Sequence, residues 1–243
     1  MLRVTVLELP ATWGEPSLVL ENVVSGMLGR GRPTDLVLLP EASLTGYVSP
    51  HGDFDLSRFA EPIDGPTRRA ISDLAKRHGV VLVAPLVLRE GDACFNTMIA
   101  CDAGGELLFT YRKRHPWLPE TWATPGADPA PVVTVAGARV TIAVCFDVHF
   151  LEEDAAAALD ACDLLLFPSA WVEEADSRPH QLAALARRHR IAVANANWSS
   201  GVVRVAGQGS STIFGPGGER LAHVEAASGG RADATLEVTA ATP

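Results

Sequence analysis

Apolar residues along the chain recur first with the two-residue period of a strand and then with the spacing of a helix. Residues 2–9 alternate apolar and polar side chains, which predicts a strand. Residues 15–28 place apolar side chains three and four positions apart, which predicts a helix that ends before Gly29. Residues 35–39 form a continuous apolar run, which is typical of a strand buried on both faces. The start of the chain therefore predicts a strand, a helix and a second strand.

The same alternation continues through the rest of the chain. Helices are predicted over residues 66–78, 150–162 and 178–190. Buried strands are predicted over residues 80–88, 164–167 and 191–195, and hairpins over residues 95–112, 132–144 and 211–224. No repeat or linker divides these elements, so we expect one domain over residues 1–243. The order of elements indicates an α/β fold in which helices cover the outer faces of mixed sheets.

The composition indicates a globular protein and argues against two classes of partner. Apolar residues make up 47% and charged residues 20%, and 29 acidic against 20 basic residues give a net charge of −9. This acidic balance disfavours nucleic acid as a partner. No apolar run approaches the ~20 residues that cross a bilayer, and the chain begins in a predicted strand without a signal-peptide pattern. We therefore expect a cytoplasmic protein that binds neither nucleic acid nor membrane.

Three chemically reactive residues follow predicted strands: Glu41, Lys113 and Cys145. Loops at the carboxyl ends of strands converge on ligand sites in α/β folds, so these side chains are candidates for one site. A thiol with an ordinary pKa near ~8.5 needs a base or a cation to react at neutral pH. Glu41 would accept its proton, and Lys113 would stabilise negative charge. The residues alone leave open that Cys145 is a small buried side chain, Glu41 a cap and Lys113 a solvated charge.

Three segments surround these residues: LVLLPEASLTGY at residues 36–47, YRKRH at residues 111–115 and VCFDVHFLE at residues 144–152. In this order they resemble three motifs of the nitrilase (carbon–nitrogen hydrolase) superfamily. Shorter segments between and after the motifs match the family as well: residues 61–66, 95–97, 124–126, 167–171, 209–211 and 215–219. The resemblance extends from residue 2 to about residue 225.

This resemblance implies a four-layer α-β-β-α sandwich and a site without a metal or an organic cofactor. It implies that Glu41 is a general base, Lys113 an oxyanion stabiliser and Cys145 the nucleophile. The backbone N–H of Phe146 would be a second oxyanion donor. Many members have a further Glu that positions the lysine or the substrate, and Glu120 is the only Glu between Lys113 and Cys145.

The activity that this resemblance implies is hydrolysis of a small linear amide through a cysteine thioester. Hydrolysis of a nitrile or of an N-carbamoyl compound is an alternative within the same class. A catalytically silent binding or assembly module is an alternative from another class. Candidate substrate-binding residues are Tyr47, His149 and Trp171, of which Trp171 is the best candidate for a pocket wall.

Four positions depart from the family pattern and leave the subfamily and substrate open. His149 and Leu151 occupy positions where the family often has Arg and Pro. Ala170 stands where Asn is frequent, and Arg188 where Glu is usual. These changes lie around the expected pocket and on helix faces, outside the three reactive residues.

Two other arrangements of the same residues predict different chemistry. A zinc site would use His115, Cys145, Asp147 and His149, although their spacing is not that of metal ligands. A cysteine protease would pair Cys145 with His115 or His149, but no protease signature surrounds them.

The resemblance also implies a homodimer, or a larger homo-oligomer, built by packing of outer helices. In the predicted helix over residues 150–162, residues 155–159 are small and apolar, which would allow close approach of a partner helix. The alternative is that these alanines face the protein's own sheet.

Overall fold

Two six-stranded sheets form the centre of the computed structural model, which describes residues 1–29, 31–225 and 229–237. The strands are β1 Leu2–Glu8, β2 Leu36–Leu38, β3 Val81–Glu90, β4 Ala93–Cys101, β5 Leu107–Arg112, β6 Val133–Val135, β7 Ala138–Ile142, β8 Leu164–Pro168, β9 Ala192–Ala196, β10 Thr212–Phe214, β11 Arg220–His223 and β12 Gly230–Leu236. The first sheet has the order β12-β1-β2-β3-β4-β5, and the second has the order β11-β10-β9-β8-β7-β6. Both sheets mix parallel and antiparallel pairs, as predicted. The remainder of the expected domain, residues 30, 226–228 and 238–243, lies outside the described residues.

Helices pack on the outer face of each sheet. They are α1 Pro16–Leu18, α2 Ser25–Gly29, α3 Pro66–His78, α4 Leu151–Asp154, α5 Ala156–Ala161 and α6 Arg178–His189. A π-helical segment, Val19–Val24, joins α1 to α2, and short 3₁₀ turns form at Ser57–Phe59 and Cys145–His149. No helix in the described ranges is both long and apolar enough to cross a membrane.

Successive side chains on a strand point to opposite faces of its sheet, and this alternation produces the layers. On β1 and β2, Val4 and Leu38 belong to the core cluster between the two sheets, which also includes Val140 of β7. The adjacent Leu39 and Val37 face the other way and pack with α3 in a second apolar cluster. The second sheet is covered by α6 in the same manner. The chain is therefore an α-β-β-α sandwich, which confirms the predicted fold class.

The continuous helix predicted over residues 150–162 is wrong. Backbone angles of −132° and 21° at Ala155 break it into α4 and α5. His115 Nε2 lies 2.5 Å from Asp154 Oδ2, and this contact ties the end of α4 to the segment after β5. Ala158 and Leu159 are buried in the chain's own core, as is Ala155.

Candidate active site

The three reactive residues predicted from the sequence meet at one end of the two sheets. Glu41 lies three residues beyond β2, Lys113 directly follows β5, and Cys145 lies three residues beyond β7. The backbone N–H of Lys113 donates to the carbonyl of Asn96 at 2.8 Å, which continues the β4–β5 pairing by one residue and fixes the lysine's position. Strand pairing within each sheet and packing of the two sheets therefore assemble a site from residues more than thirty positions apart.

The segment at Gly126 fixes the carbonyl group of Lys113. The N–H of Gly126 donates to the carbonyl of Lys113 at 2.8 Å. A Cβ atom at Gly126 would lie 2.3 Å from the carbonyl oxygen of Arg112, so only glycine permits this approach. Gly126 belongs to the segment at residues 124–126 that matches the family, so the structure gives a reason for glycine at this position.

Lys113 bridges two buried carboxylates. Its Nζ lies 2.7 Å from Glu41 Oε1 and 2.7 Å from Glu120 Oε1, and all three side chains are buried. Burial favours the neutral amine, but Glu41 and Glu120 outweigh burial and raise the pKa of Lys113 above its usual range. The side chain is therefore an ammonium. An ammonium has three N–H donors, and these two contacts use two of them.

Cys145 occupies a sharp turn between β7 and the 3₁₀ segment. Its φ is +48°, a left-handed backbone conformation that costs on the order of 1–3 kcal/mol in a non-glycine residue. Asp147 stabilises the turn, because its Oδ2 accepts the N–H of Val144 at 3.0 Å. Burial and then Glu41 raise the pKa of the Cys145 thiol, and Lys113 only partly opposes them. The cysteine is therefore a thiol until a base removes its proton.

Asn96 is a component of the site that sequence reasoning missed. Its Nδ2 donates to Glu41 Oε1 at 2.7 Å and lies 3.3 Å from Glu120 Oε2. The N–H of Ala170 donates to Glu41 Oε2 at 3.0 Å. Three donors thus hold the Glu41 carboxylate in one orientation. The segment at residues 95–97 predicts only the start of a strand, although a polar side chain in an apolar strand was a usable signal.

Asp147 and Tyr47 complete the network around the charged side chains. Asp147 Oδ1 accepts the N–H of His115 at 2.8 Å, so one carboxylate joins the segment after Lys113 to the Cys145 turn. The hydroxyl of Tyr47 donates to Glu120 Oε1 at 2.8 Å. Burial, followed by the charge of Glu120, raises the pKa of Tyr47 well above its usual value, so the phenol remains a donor.

A cavity of about 240 Å³ opens beside this network. Its lining includes five aromatic or imidazole side chains beside the thiol: Cys145 with Tyr47, Trp117, Phe146, His149 and Trp171. The structure therefore brings the predicted substrate-binding residues Tyr47, His149 and Trp171 to the same space as Cys145. Trp171 is buried and forms part of a wall, whereas His149 is exposed at the mouth.

The four departures from the family pattern have separate environments. Leu151 is buried in the core, and Ala170 contributes its N–H to Glu41 as described above. His149 packs edge-on against Phe146, with ring centroids 4.9 Å apart. Arg188 pairs with Glu152 at 2.5 Å and links α6 to α4 on the surface. Ala170 and His149 are thus the two departures that adjoin the cavity.

The geometry does not support the zinc or protease alternatives. No group of three or more His, Cys, Asp or Glu side chains within the described ranges could hold a metal ion. Asp147 instead accepts hydrogen bonds from two backbone N–H groups and from the hydroxyl of Tyr111, at 2.9 Å. His115 pairs with Asp154. No hydrogen bond joins Cys145 to a histidine among the residues that the structure describes.

Comparison with known proteins identifies the family. The model of the carbon-nitrogen hydrolase family matches residues 7–241, which is nearly the whole chain. The chain belongs to the carbon–nitrogen hydrolase family. This result confirms the predicted membership of the nitrilase superfamily and the prediction that the protein is an amidase- or nitrilase-like enzyme.

Solved structures agree with this assignment. The amidase from Nesterenkonia sp. AN1 superposes with a TM-score of 0.84 at 27% identity, covering 98% of this chain and 94% of that one, in a structure with acrylamide added at its active-site cysteine. Among curated relatives of this carbon–nitrogen hydrolase, a hydrolase from Pseudomonas protegens is 30% identical over 77% of this chain and 67% of its own length. A 2-oxoglutaramate amidase from Bacillus subtilis is 26% identical over 90% of this chain and 85% of its own length.

Several curated relatives are matched over only part of their length. The match to a citrullinase from Francisella tularensis, at 28% identity, covers 60% of this chain and 51% of the relative. By name, these relatives include an amidase of 2-oxoglutaramate and a citrullinase, so the family assignment does not fix the substrate of this chain.

Replacement of Asn96 tests its role in holding the two carboxylates. Asn96→Asp puts a third negative charge within hydrogen-bond distance of Glu41 and Glu120, which favours protonation of the group. We expect kcat/KM for an amide to fall by about 10- to 100-fold, because hydrogen bonds to charged groups contribute roughly 1.5–3 kcal/mol. We also expect the acidic limb of its pH profile to move to higher pH.

Asn96→Ala is the matched variant, because it removes the same donor without adding charge. It should lower kcat/KM with a smaller displacement of the acidic limb. Identical pH profiles for the Asp variant and the unmodified protein would show that Asn96 does not influence proton transfer at the site.

Proposed function

We propose that this carbon–nitrogen hydrolase is an amidase of small linear amides that acts through a thioester on Cys145. The observation that carries the proposal is the Lys113 ammonium held 2.7 Å from both Glu41 and Glu120, beside a cavity that reaches the Cys145 thiol. The amidases among its relatives and structural neighbours support the choice of amide over nitrile.

In the first step, Glu41 accepts the thiol proton while Sγ of Cys145 attacks the amide carbonyl carbon. Burial raises the pKa of the Cys145 thiol, so the attack needs Glu41 to remove this proton. The carbonyl π electrons move to oxygen, and the third N–H of Lys113, together with the N–H of Phe146, stabilises the oxyanion. Phe146 lies in the first turn after Cys145, where backbone N–H groups lack intrahelical partners.

In the second step, the Glu41 carboxyl protonates the leaving nitrogen as the C–N bond breaks. Ammonia or an amine departs and leaves the acyl thioester on Cys145. Glu41 then takes a proton from water as the water oxygen attacks the thioester carbonyl. Collapse of this second intermediate breaks the C–S bond, the Glu41 carboxyl returns its proton to Sγ, and the carboxylic acid is released.

Ammonia release from a panel of small amides, nitriles and N-carbamoyl compounds tests this function. We expect amides to be hydrolysed, with an acyl adduct on Cys145 seen by mass spectrometry after acid quenching. Turnover confined to nitriles or N-carbamoyl compounds would overturn the amide assignment and leave the covalent mechanism in place. No turnover, combined with slow alkylation of Cys145 by acrylamide, would indicate a catalytically silent binding module.

We propose a cytoplasmic location, which is supported by four free cysteines that suit a reducing compartment. Fractionation of the source cells, with immunodetection of the native chain, tests this assignment. Recovery in a membrane or secreted fraction would contradict it.

We also propose that the chain forms a homodimer through its outer helices. Support comes from Ala156 and Ala157, which α5 leaves exposed while Ala158 and Leu159 pack inward. Sedimentation equilibrium at micromolar protein should show a species of twice the chain mass. A single species of 25.7 kDa with full activity would contradict both the dimer and any contribution of association to catalysis.

A further inference from the structure

The cavity beside Cys145 carries a negative charge at its mouth and no compensating cation in its lining. Glu173 lines the cavity, and neither Lys nor Arg occurs among the described residues that line it. Deeper in the site, Glu41 and Glu120 share the single cation of Lys113, so these three groups carry a formal charge of −1 when ionised. A ligand in this cavity therefore lies between Glu173 and the carboxylates of the inner site, and the nearest further cation is the buried Arg178, whose guanidinium lies behind the wall, 5.8 Å from the ring centroid of Trp171.

Glu173 is held in place by three hydrogen bonds to one of its oxygens. Oε2 accepts the indole N–H of Trp171 at 3.1 Å, the N–H of Ser177 at 2.9 Å and the hydroxyl of Ser177 at 2.6 Å. The bonds from Ser177 hold the pKa of Glu173 below its usual range. The carboxylate is thus ionised and oriented, and Oε1 takes no part in these three bonds and is available to a ligand.

The cavity walls suit an organic cation. Trp171 both positions Glu173 and contributes an aromatic wall, and Trp117 and Phe146 provide further aromatic surface. Aromatic rings attract ammonium groups through their negative faces. A ligand carboxylate, in contrast, would find no cation in the lining and would lie beside Glu173.

We propose that Glu173 selects amides that carry a protonated amine at the end opposite the scissile bond. The ammonium group would contact Glu173 Oε1 at the mouth while the carbonyl carbon lies at Cys145. This inference rests on the proposed amidase function and specifies its substrate class. It predicts a preference for ammonium over a neutral terminus, and rejection of a terminal carboxylate.

Three amides that share a three-methylene chain test the proposal: 4-aminobutanamide, pentanamide and the monoamide of glutarate. At about pH 8, we expect kcat/KM for 4-aminobutanamide to exceed that for pentanamide by about fivefold or more. The glutarate monoamide should be the poorest of the three. Because an ion pair at the mouth is screened by salt, the preference should shrink as ionic strength rises.

Glu173→Gln keeps the size of the side chain and removes its charge. In this variant the ratio of kcat/KM between 4-aminobutanamide and pentanamide should fall toward one, with the change mostly in KM. Glu174→Gln is the matched control, because Glu174 is the adjacent exposed carboxylate and does not line the cavity. It should retain the ratio. A ratio near one in the unmodified protein, or a ratio unaffected by Glu173→Gln, would overturn the proposal while leaving the amidase function intact.

Binding can be measured separately from turnover by protection of Cys145 from alkylation. We expect 4-aminobutanamide to slow alkylation by acrylamide more than pentanamide does, and Glu173→Gln to abolish this difference. If none of the three amides is hydrolysed but the difference in protection is present, the proposed reaction fails and the selectivity of the cavity stands. Equal protection by both compounds would refute the role of Glu173 whatever the reaction.

Discussion

Replacement of Cys145 by Ala is expected to abolish ammonia release from amides while the protein remains folded. Loss of a nucleophile removes the thioester route, and comparable losses in covalent hydrolases lower kcat by roughly 10⁴- to 10⁶-fold. The substitution removes one sulfur atom from a turn that Asp147 braces, so the secondary structure should be unchanged. Initial-rate assays and circular dichroism on the same preparation measure the two expectations.

Cys94 provides the matched control. It is buried to the same 7% exposure as Cys145, but it lies on β4 and does not line the cavity. Cys94→Ala should keep activity and the acyl adduct on Cys145. Substantial ammonia release by the Cys145→Ala protein, or loss of activity in the Cys94 variant alone, would contradict the assignment of Cys145 as nucleophile.

The sequence indicated which reactive residues lie close together, but it did not indicate the hydrogen bonds that orient them. Glu41, Lys113 and Cys145 are candidates for one site because each follows a predicted strand, and the resemblance to the nitrilase superfamily implies their roles. The same resemblance implies a further Glu between Lys113 and Cys145, and Glu120 is the only Glu in that interval. These arguments depend on the order of residues along the chain and on the family resemblance, and the structure brings all four side chains to one place.

The hydrogen bonds that orient these residues depend on contacts between distant segments, so no local pattern predicted them. Asn96 reaches Glu41 across 55 positions, and the N–H of Ala170 reaches the same carboxylate across 129. The zinc-site alternative treated Asp147 as a metal ligand, but its carboxylate joins two backbone segments through hydrogen bonds. Only the pairing of strands and the packing of the two sheets determine which polar groups meet.

The predicted elements contain two errors, and both arise because contacts between distant segments override the local sequence pattern. The alanine-rich stretch after Cys145 favours a continuous helix locally, but the structure breaks it at Ala155, next to the contact between Asp154 and His115 across 39 positions. Strand β12 was not predicted, because its sequence, GRADATL, has few apolar residues. It forms at the edge of the first sheet by antiparallel pairing with β1.

Lys113→Arg is expected to lower kcat by about 100-fold or more although it preserves the charge. The ammonium occupies a fully buried position 2.7 Å from two carboxylates, and the structure leaves one N–H for an oxyanion. A guanidinium is larger and planar, and its donors are fixed in a fork. It would pair with Glu41 or Glu120 in a different geometry and displace the donor aimed at the substrate. Loss of one oxyanion donor typically costs about 10²–10³ in rate.

The chain offers a direct control for this substitution, because Lys76 is its only other lysine and is exposed on α3. Lys76→Arg should leave both kcat and thermal stability unchanged. If the Lys113→Arg protein folds and shows acyl adduct formation at the normal rate, Lys113 stabilises the buried carboxylates without acting on the oxyanion. If its kcat falls while alkylation of Cys145 by acrylamide is little affected, the lysine acts after the thiol has been deprotonated, on the tetrahedral intermediate.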